Sequence, residues 1–175
     1  NSALRLYVST IPTEYRFHTF LEDPVYRISI ATQNVAYNQP TQQGFYFGSD
    51  LKEGIFRGAD EGVLISDRPL GGADTLATSY TLAQAIKKIG DYDIIICGRQ
   101  AIDGDTAQVG PQVAEKLGLT QITYTEEIIS LDKDAKKIVA KRHIDGGVET
   151  VEGPLPIVVT VNGSAAPCRV RNVKR

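Results

Sequence analysis

The chain has 175 residues, of which 42% are hydrophobic and 23% charged, and its 19 basic and 21 acidic side chains give a net charge of -2. This composition excludes an intrinsically disordered chain, and the charge balance excludes a general electrostatic attraction to nucleic acid. No apolar run approaches the roughly 18–20 residues that cross a bilayer, so membrane insertion is not expected.

The length suits a single α/β domain spanning 1–175, with residues 1–50 atypical. In that first stretch "LRLYVSTIP" reads as a strand ending at Pro12, and "YRISIATQNVAYN" as another running into a turn. The segment between them, "TEYRFHTFLEDPVY", has no clean period, and "NQPTQQGFYFGSD" reads as loop. No helix long enough to complete a βαβ crossover is legible there.

From Leu51 onward the pattern is clearer. "LKEGIFRGAD" is an amphipathic helix. "EGVLISD" is a short buried strand with the apolar run Val63, Leu64 and Ile65, and "RPLGGAD" is a turn. "ADTLATSYTLAQAIKKIG" is a helix capped by Asp74, with Leu76, Tyr80, Leu82, Ala83, Ile86 and Ile89 expected on its apolar face. In "YDIIICG" three consecutive isoleucines, Ile94 to Ile96, require burial on both faces, as in a parallel sheet. A polar turn, "CGRQAIDGDTAQVG", leads into the helix "VGPQVAEKLGL", where Pro111 falls in the first turn. "QITYTEEIISLD" alternates as a strand. Two strands joined at "DGG" give a hairpin signal, and "PIVVTV" is the last strand. The fold expected is an open parallel sheet with helices on both faces, plus an antiparallel hairpin towards the C-terminus.

Ligands in open parallel sheets bind beyond the carboxyl ends of the strands, where the turn after Ile96 lies. Gly98 and Gly104 allow backbone angles that expose N–H groups, and the following helix points its positive end at the turn, so a phosphate or pyrophosphate would be stabilised there. Thr106 and Gln108 can donate to phosphate oxygens. Asp103 and Asp105 repel phosphate; they either fix the turn or hold ribose hydroxyls. The alternative is a purely structural turn of small residues. Neither G-x-x-x-x-G-K-[ST] nor G-x-G-x-x-G is present. A second turn, "SDRPLGGADT", occupies the same place one strand earlier, so the two would open on one edge of the sheet. No nucleophile–base pair is legible around His18, His143, Cys97 or Cys168. No metal-ligand spacing is present either. The chemistry expected is that of a bound cofactor. Two cysteines make no disulfide framework, and the N-terminus lacks a basic segment followed by an apolar one, so a reducing cytoplasmic compartment is expected. The basic end "CRVRNVKR" reads as a solvated tail, with a docking arm as the alternative.

"GRQAIDGDTAQVGPQVAEKLGL", "RGADEGVLISDRPLGGADTLATSYTLAQAI" and "GGVETVEGPLPIVVTV" together resemble the β subunit of electron transfer flavoproteins, over roughly Leu51 to Val161. The resemblance implies an adenine-nucleotide-binding, Rossmann-like α/β fold paired with an α subunit that carries the electron-transferring FAD. In simple members the β-subunit site holds structural AMP. In bifurcating members it holds a second FAD that takes a hydride from NADH and divides the electron pair. "SDRPLGGADTLATSYTLA" looks more like the bifurcating type, which favours FAD over AMP, with NADH as donor. An acyl-CoA or related flavin dehydrogenase and ferredoxin are the partners it implies.

Carried over by position, Gly98, Gln100, Asp103, Gly104, Asp105, Thr106, Gln108, Val109 and Gly110 would surround ribose and phosphates. Asp67, Arg68, Asp74, Thr75 and Thr78 would lie on the flavin or NADH side. The opening "LRLYVSTIPTE" only loosely echoes the family's first strand. The ending "NGSAAPCRVRNVKR" departs from the family's "NEPRY"-like docking segment. A nucleotide-binding module of the universal-stress type is the competing class, although its phosphate loop is absent.

Overall fold

The computed structural model describes residues 73–100 and 104–166 continuously, together with 5–6, 28–31, 56, 61–63, 65 and 70. Among these the chain order is β1 (Arg5–Leu6), β2 (Ile28–Ala31), β3 (Glu61–Gly62), α1 (Thr75–Ile89), β4 (Ile94–Gly98), α2 (Val109–Leu117), β5 (Thr120–Asp132), β6 (Lys137–Ile144), β7 (Gly147–Pro154) and β8 (Ile157–Val161). The fold is α/β, and its main sheet has the order β2-β4-β8-β5-β6-β7. β2, β4, β8 and β5 run parallel, while β6 and β7 continue antiparallel from β5. The sheet is therefore mixed rather than wholly parallel.

β4 and β8 form its buried centre. Side chains alternate between faces along a strand. Ile95, Cys97 and Val158 thus join Leu82, Ile86, Val109, Val113 and Ala114 in one cluster under the helices. Ile94, Ile96, Ile157, Val159 and Val161 turn the other way and cluster with Ile122, Ile138, Ala140 and Leu155. Both described helices lie on the first of these faces and pack against each other. The further expected helix "LKEGIFRGAD", apart from Phe56, lies outside the described residues. Among the described residues, the second face of β4 and β8 is packed by side chains of the antiparallel arm and Leu155.

β5 makes the change of direction possible. It pairs parallel with β8 at its start and antiparallel with β6 from Thr125 on, and both ladders shift register around that point. Tyr124 has φ 57° at the shift, and its N–H donates to Thr160 Oγ1 at 3.1 Å. Such an irregularity bends a strand and re-aims its side chains.

α1 begins at its expected cap. Asp74 accepts the Ala77 N–H at 2.8 Å, satisfying one of the amides that a helix leaves without an internal partner. Lys87 and Lys88 occupy the last turn, where a helix favours positive charge. Two residues depart from the expected apolar face: Leu76 and Tyr80 are 59% and 58% exposed. At 3.6 residues per turn they form a stripe of their own, about 120° round the helix from the buried stripe of Leu82 and Ile86. α2 ends at Gly118, which has φ 67°, and Leu119 N–H closes the turn onto Ala114 O at 3.0 Å.

The expected strand "EGVLISD" is shorter than its apolar run suggested. β3 covers Glu61 and Gly62 alone, and Val63 and Ile65 fall outside any strand. β3 also pairs with β1 in a separate two-stranded sheet, so it does not stand beside β4. Ile65, half-buried, packs against the cluster under the helices. No helix among the described residues is long and apolar enough to cross a membrane.

Candidate functional site

β4 ends at Gly98 and β8 at Val161, side by side in register, and the chain leaves both at the carboxyl edge of the parallel strands. From β4 it passes through Arg99 and Gln100 and returns through Gly104 to Gln108 into α2. The start of α1 lies against the start of α2. Thr75 Oγ1 donates to Gln108 Oε1 at 3.1 Å, and Ser79 Oγ lies 2.9 Å from both Gln112 Oε1 and Leu76 O. A hydroxyl has one proton, so Ser79 serves one of those acceptors at a time.

Gln108 stands in the capping position of α2 yet makes no side-chain cap. Its side-chain oxygen is engaged by Thr75 instead. The positive end of α2 therefore faces the turn without a side-chain acceptor from its own cap residue, and Pro111 contributes no N–H there. Val109 is 7% exposed and Gly110 is buried against Thr160 and Cys97, at the first turn of α2.

Gly98 and Gly104 do not have positive φ. Asp105 and Ala107 do, with φ 51° and 53°, a strained choice for residues with a Cβ. Gln100 Nε2 donates to Asp105 Oδ1, a contact within the turn. A Cβ built on Gly98 or Gly104 would meet nothing within 4 Å. Open space therefore lies against the backbone at both positions, which suits the close approach of a ligand. Thr106 and Gln108 are exposed.

On the α1 side the three described candidates differ. The Asp74 carboxylate is committed to the cap and the Thr75 hydroxyl to Gln108. Thr78 Oγ1 is buried with no hydrogen-bond partner. A helical threonine commonly bonds back to the carbonyl four residues earlier, as Thr81 does to Ala77 O at 2.9 Å. Thr78 does not, which leaves its hydroxyl without a partner beside the start of α2. Asp67, Arg68 and Asp103 lie outside the described residues.

Sequence reasoning missed Arg99. Its guanidinium donates to Asn162 Oδ1 at 3.0 Å and lies 5.8 Å from the Tyr124 ring centroid, while its backbone N–H donates to Val161 O at 3.1 Å. The partner is 63 residues away along the chain, so no local pattern signalled the contact. Beside it, Cys97 is a buried free thiol, and burial pushes its pKa up to about 12.

A strand, a polar turn and a helix N-terminus meet at the carboxyl edge of the parallel strands of this α/β fold, the edge where open α/β sheets place their ligands. Residues 44–174 match the electron transfer flavoprotein domain, and the chain belongs to that family. Residues 1–55 match a different family model, the C-terminal domain of rhamnogalacturonan lyase family 11. Among similar proteins, the electron transfer flavoprotein subunit beta of Clostridium acetobutylicum is 54% identical over 110 residues, covering 63% of this chain and 41% of that protein. The caffeyl-CoA reductase-Etf complex subunit CarD of Acetobacterium woodii is 50% identical over 110 residues, with 63% and 41% covered. The acryloyl-CoA reductase electron transfer subunit gamma of Anaerotignum propionicum is 50% identical over 112 residues, again with 63% and 41% covered. The chain thus spans about two fifths of the length of the curated relatives it matches.

Proposed function

We propose that this chain acts as the nucleotide-binding part of an electron transfer flavoprotein β subunit and that its turn holds FAD, with AMP as the alternative occupant. The observation that carries the reading is the meeting of two helix N-termini at the carboxyl end of β4. They are joined by the Thr75–Gln108 hydrogen bond, and α2 has no side-chain cap. The backbone of Val109 and Gly110 and the hydroxyl of Thr106 would hold phosphate oxygens. Gln100 and Asp105 keep the turn in shape, and Asp103 would reach the ribose. Gly98 and Gly104 leave room against the backbone, and Thr78 supplies the unpaired hydroxyl on the flavin or NADH side, where Asp67 and Arg68 would also lie.

When bound, FAD would supply the one- and two-electron chemistry, while the chain binds and orients it. NADH as donor, an α subunit as partner, an acyl-CoA or related dehydrogenase and ferredoxin as acceptors, a Rossmann-like nucleotide mode and a cytoplasmic setting complete the proposal. Relatives named for caffeyl-CoA and acryloyl-CoA reductase systems support this direction.

The test is to express the full chain with an electron transfer flavoprotein α subunit, denature the purified complex and identify the released nucleotides. FAD in excess of the α subunit's own is expected. AMP in its place would overturn the FAD assignment and leave the β-subunit reading standing. ATP retained with neither FAD nor AMP would favour the universal-stress class.

Thr78→Val is expected to weaken FAD binding by about two- to tenfold, the worth of one net hydrogen bond, without lowering the thermal midpoint of the ligand-free protein. Fluorescence titration and a thermal melt check the two parts separately.

A further inference from the structure

We propose that Arg99 is a positioning residue that couples the candidate ligand turn to the segment leaving β8. The inference rests on the nucleotide reading of that turn. Arg99 follows Gly98 directly and precedes Gln100, the residue that donates to Asp105. From that place it reaches across two neighbouring strand ends. Its backbone N–H binds Val161 O at the end of β8, its guanidinium binds the Asn162 side chain, and it stacks over Tyr124 of β5.

Asn162 passes the connection on. Its N–H donates to Thr125 O at 2.8 Å, and its side-chain amide donates to Ser164 Oγ at 2.8 Å. Ser164 in turn donates to Glu126 Oε1, and His143 Nδ1 lies 3.3 Å from the same oxygen. Ala165 N–H closes the turn onto Asn162 O at 3.1 Å. The chain from Arg99 to Glu126 has one sense only, because a guanidinium can only donate and a carboxylate can only accept. Each bond polarises the next, so the members strengthen one another. The Ser164 hydrogen bond, with His143 contributing, holds the Glu126 carboxyl below its usual range.

Arg99 Nε is buried without a partner. A guanidinium held by phosphate or carboxylate would use that edge. Here the side chain is instead directed by Asn162 and the Tyr124 ring, which is the geometry of a clamp. A displacement of the backbone after Gly98 must move Asn162, and the reverse holds. By linkage, a ligand that orders the turn then orders residues 162–165, and anything that orders those residues favours the ligand to the same degree.

The test compares the full chain with Arg99→Met, Arg99→Lys, Glu126→Gln and the Arg99→Met/Glu126→Gln double variant, using AMP and FAD as probes. Affinity is measured by titration, and hydrogen exchange is followed in the peptide covering 161–166. Arg99→Met is expected to weaken binding about five- to tenfold, within the usual range of coupling between sites. Glu126→Gln, which lies outside the ligand turn, is expected to weaken it about two- to threefold, and the double variant to match Arg99→Met alone. Arg99→Lys retains a donor for Asn162 and should recover most of the loss. Ligand should slow exchange at 161–166 in the unmodified chain and not in Arg99→Met. Unchanged binding by Arg99→Met, or losses that multiply in full in the double variant, overturns the coupling alone. An unmodified chain that binds neither probe overturns the nucleotide reading, and the inference with it.

Discussion

Gly110→Ala is expected to lower the free energy of unfolding by about 1–3 kcal/mol, the usual range for overpacking a filled core. A Cβ at this position would stand 2.5 Å from Thr160 Cγ2 and 3.3 Å from Cys97 Cβ. Alanine favours a helix over glycine by about 1 kcal/mol, so propensity alone argues the other way. Packing wins because Thr160 cannot yield cheaply. It is 2% exposed and β-branched, and its Oγ1 accepts the Tyr124 N–H. Turning Cγ2 aside would break that bond at the bend of β5. Lifting α2 would part Val109 and Val113 from Ile95 and Val158. Urea unfolding of Gly110→Ala measures the loss. Gly153→Ala is the control: its nearest obstacle is Ile157 Cδ1 at 2.7 Å, the far end of a flexible side chain, so it should be affected much less.

Ile95→Ala is expected to cost about 2–5 kcal/mol, the range for emptying a fully buried aliphatic position. Ile95 is 0% exposed and lies beneath both helices, in contact with the cluster that contains Leu82, Ile86, Val109 and Val113. Four neighbours on two elements must move to refill the space, so collapse is limited and the cavity remains. Ile129→Ala, at a position 50% exposed, should stay within about 0.5 kcal/mol. Equal losses in the two variants would contradict the assignment of the core.

The central strands and the two helices were legible because each carries its own periodicity. Ile94 to Ile96 demanded two covered faces, and Asp74 announced a helix start that the structure bears out. Leu76 and Tyr80 misled because apolar residues at helical spacing do not say which of two stripes meets the sheet. Val63 and Ile65 misled because apolar residues can be half-buried against a neighbouring cluster without pairing as a strand.

The strand, turn and helix that frame the candidate site were legible from their order in the chain. The duties of its residues were less so. Asp74 also caps α1, Thr75 bonds Gln108 across the two helix starts, and Asp105 accepts from Gln100 within the turn. Left-handed geometry fell on Asp105 and Ala107 rather than on the neighbouring glycines. Arg99 and the bend at Tyr124 depend on contacts between residues far apart in the chain. No local spacing encodes such contacts.

Cys97 lies one residue before the turn that would hold the cofactor, with its thiol buried and its pKa raised to about 12. At neutral pH almost none of it is thiolate, the form that peroxides and electrophiles attack. The sulfur closest in sequence to the proposed flavin thus serves as inert packing. With a flavin in the turn as proposed, the scaffold beside it would stay out of the redox traffic, and the geometry of the turn would not vary with the thiol balance of its surroundings.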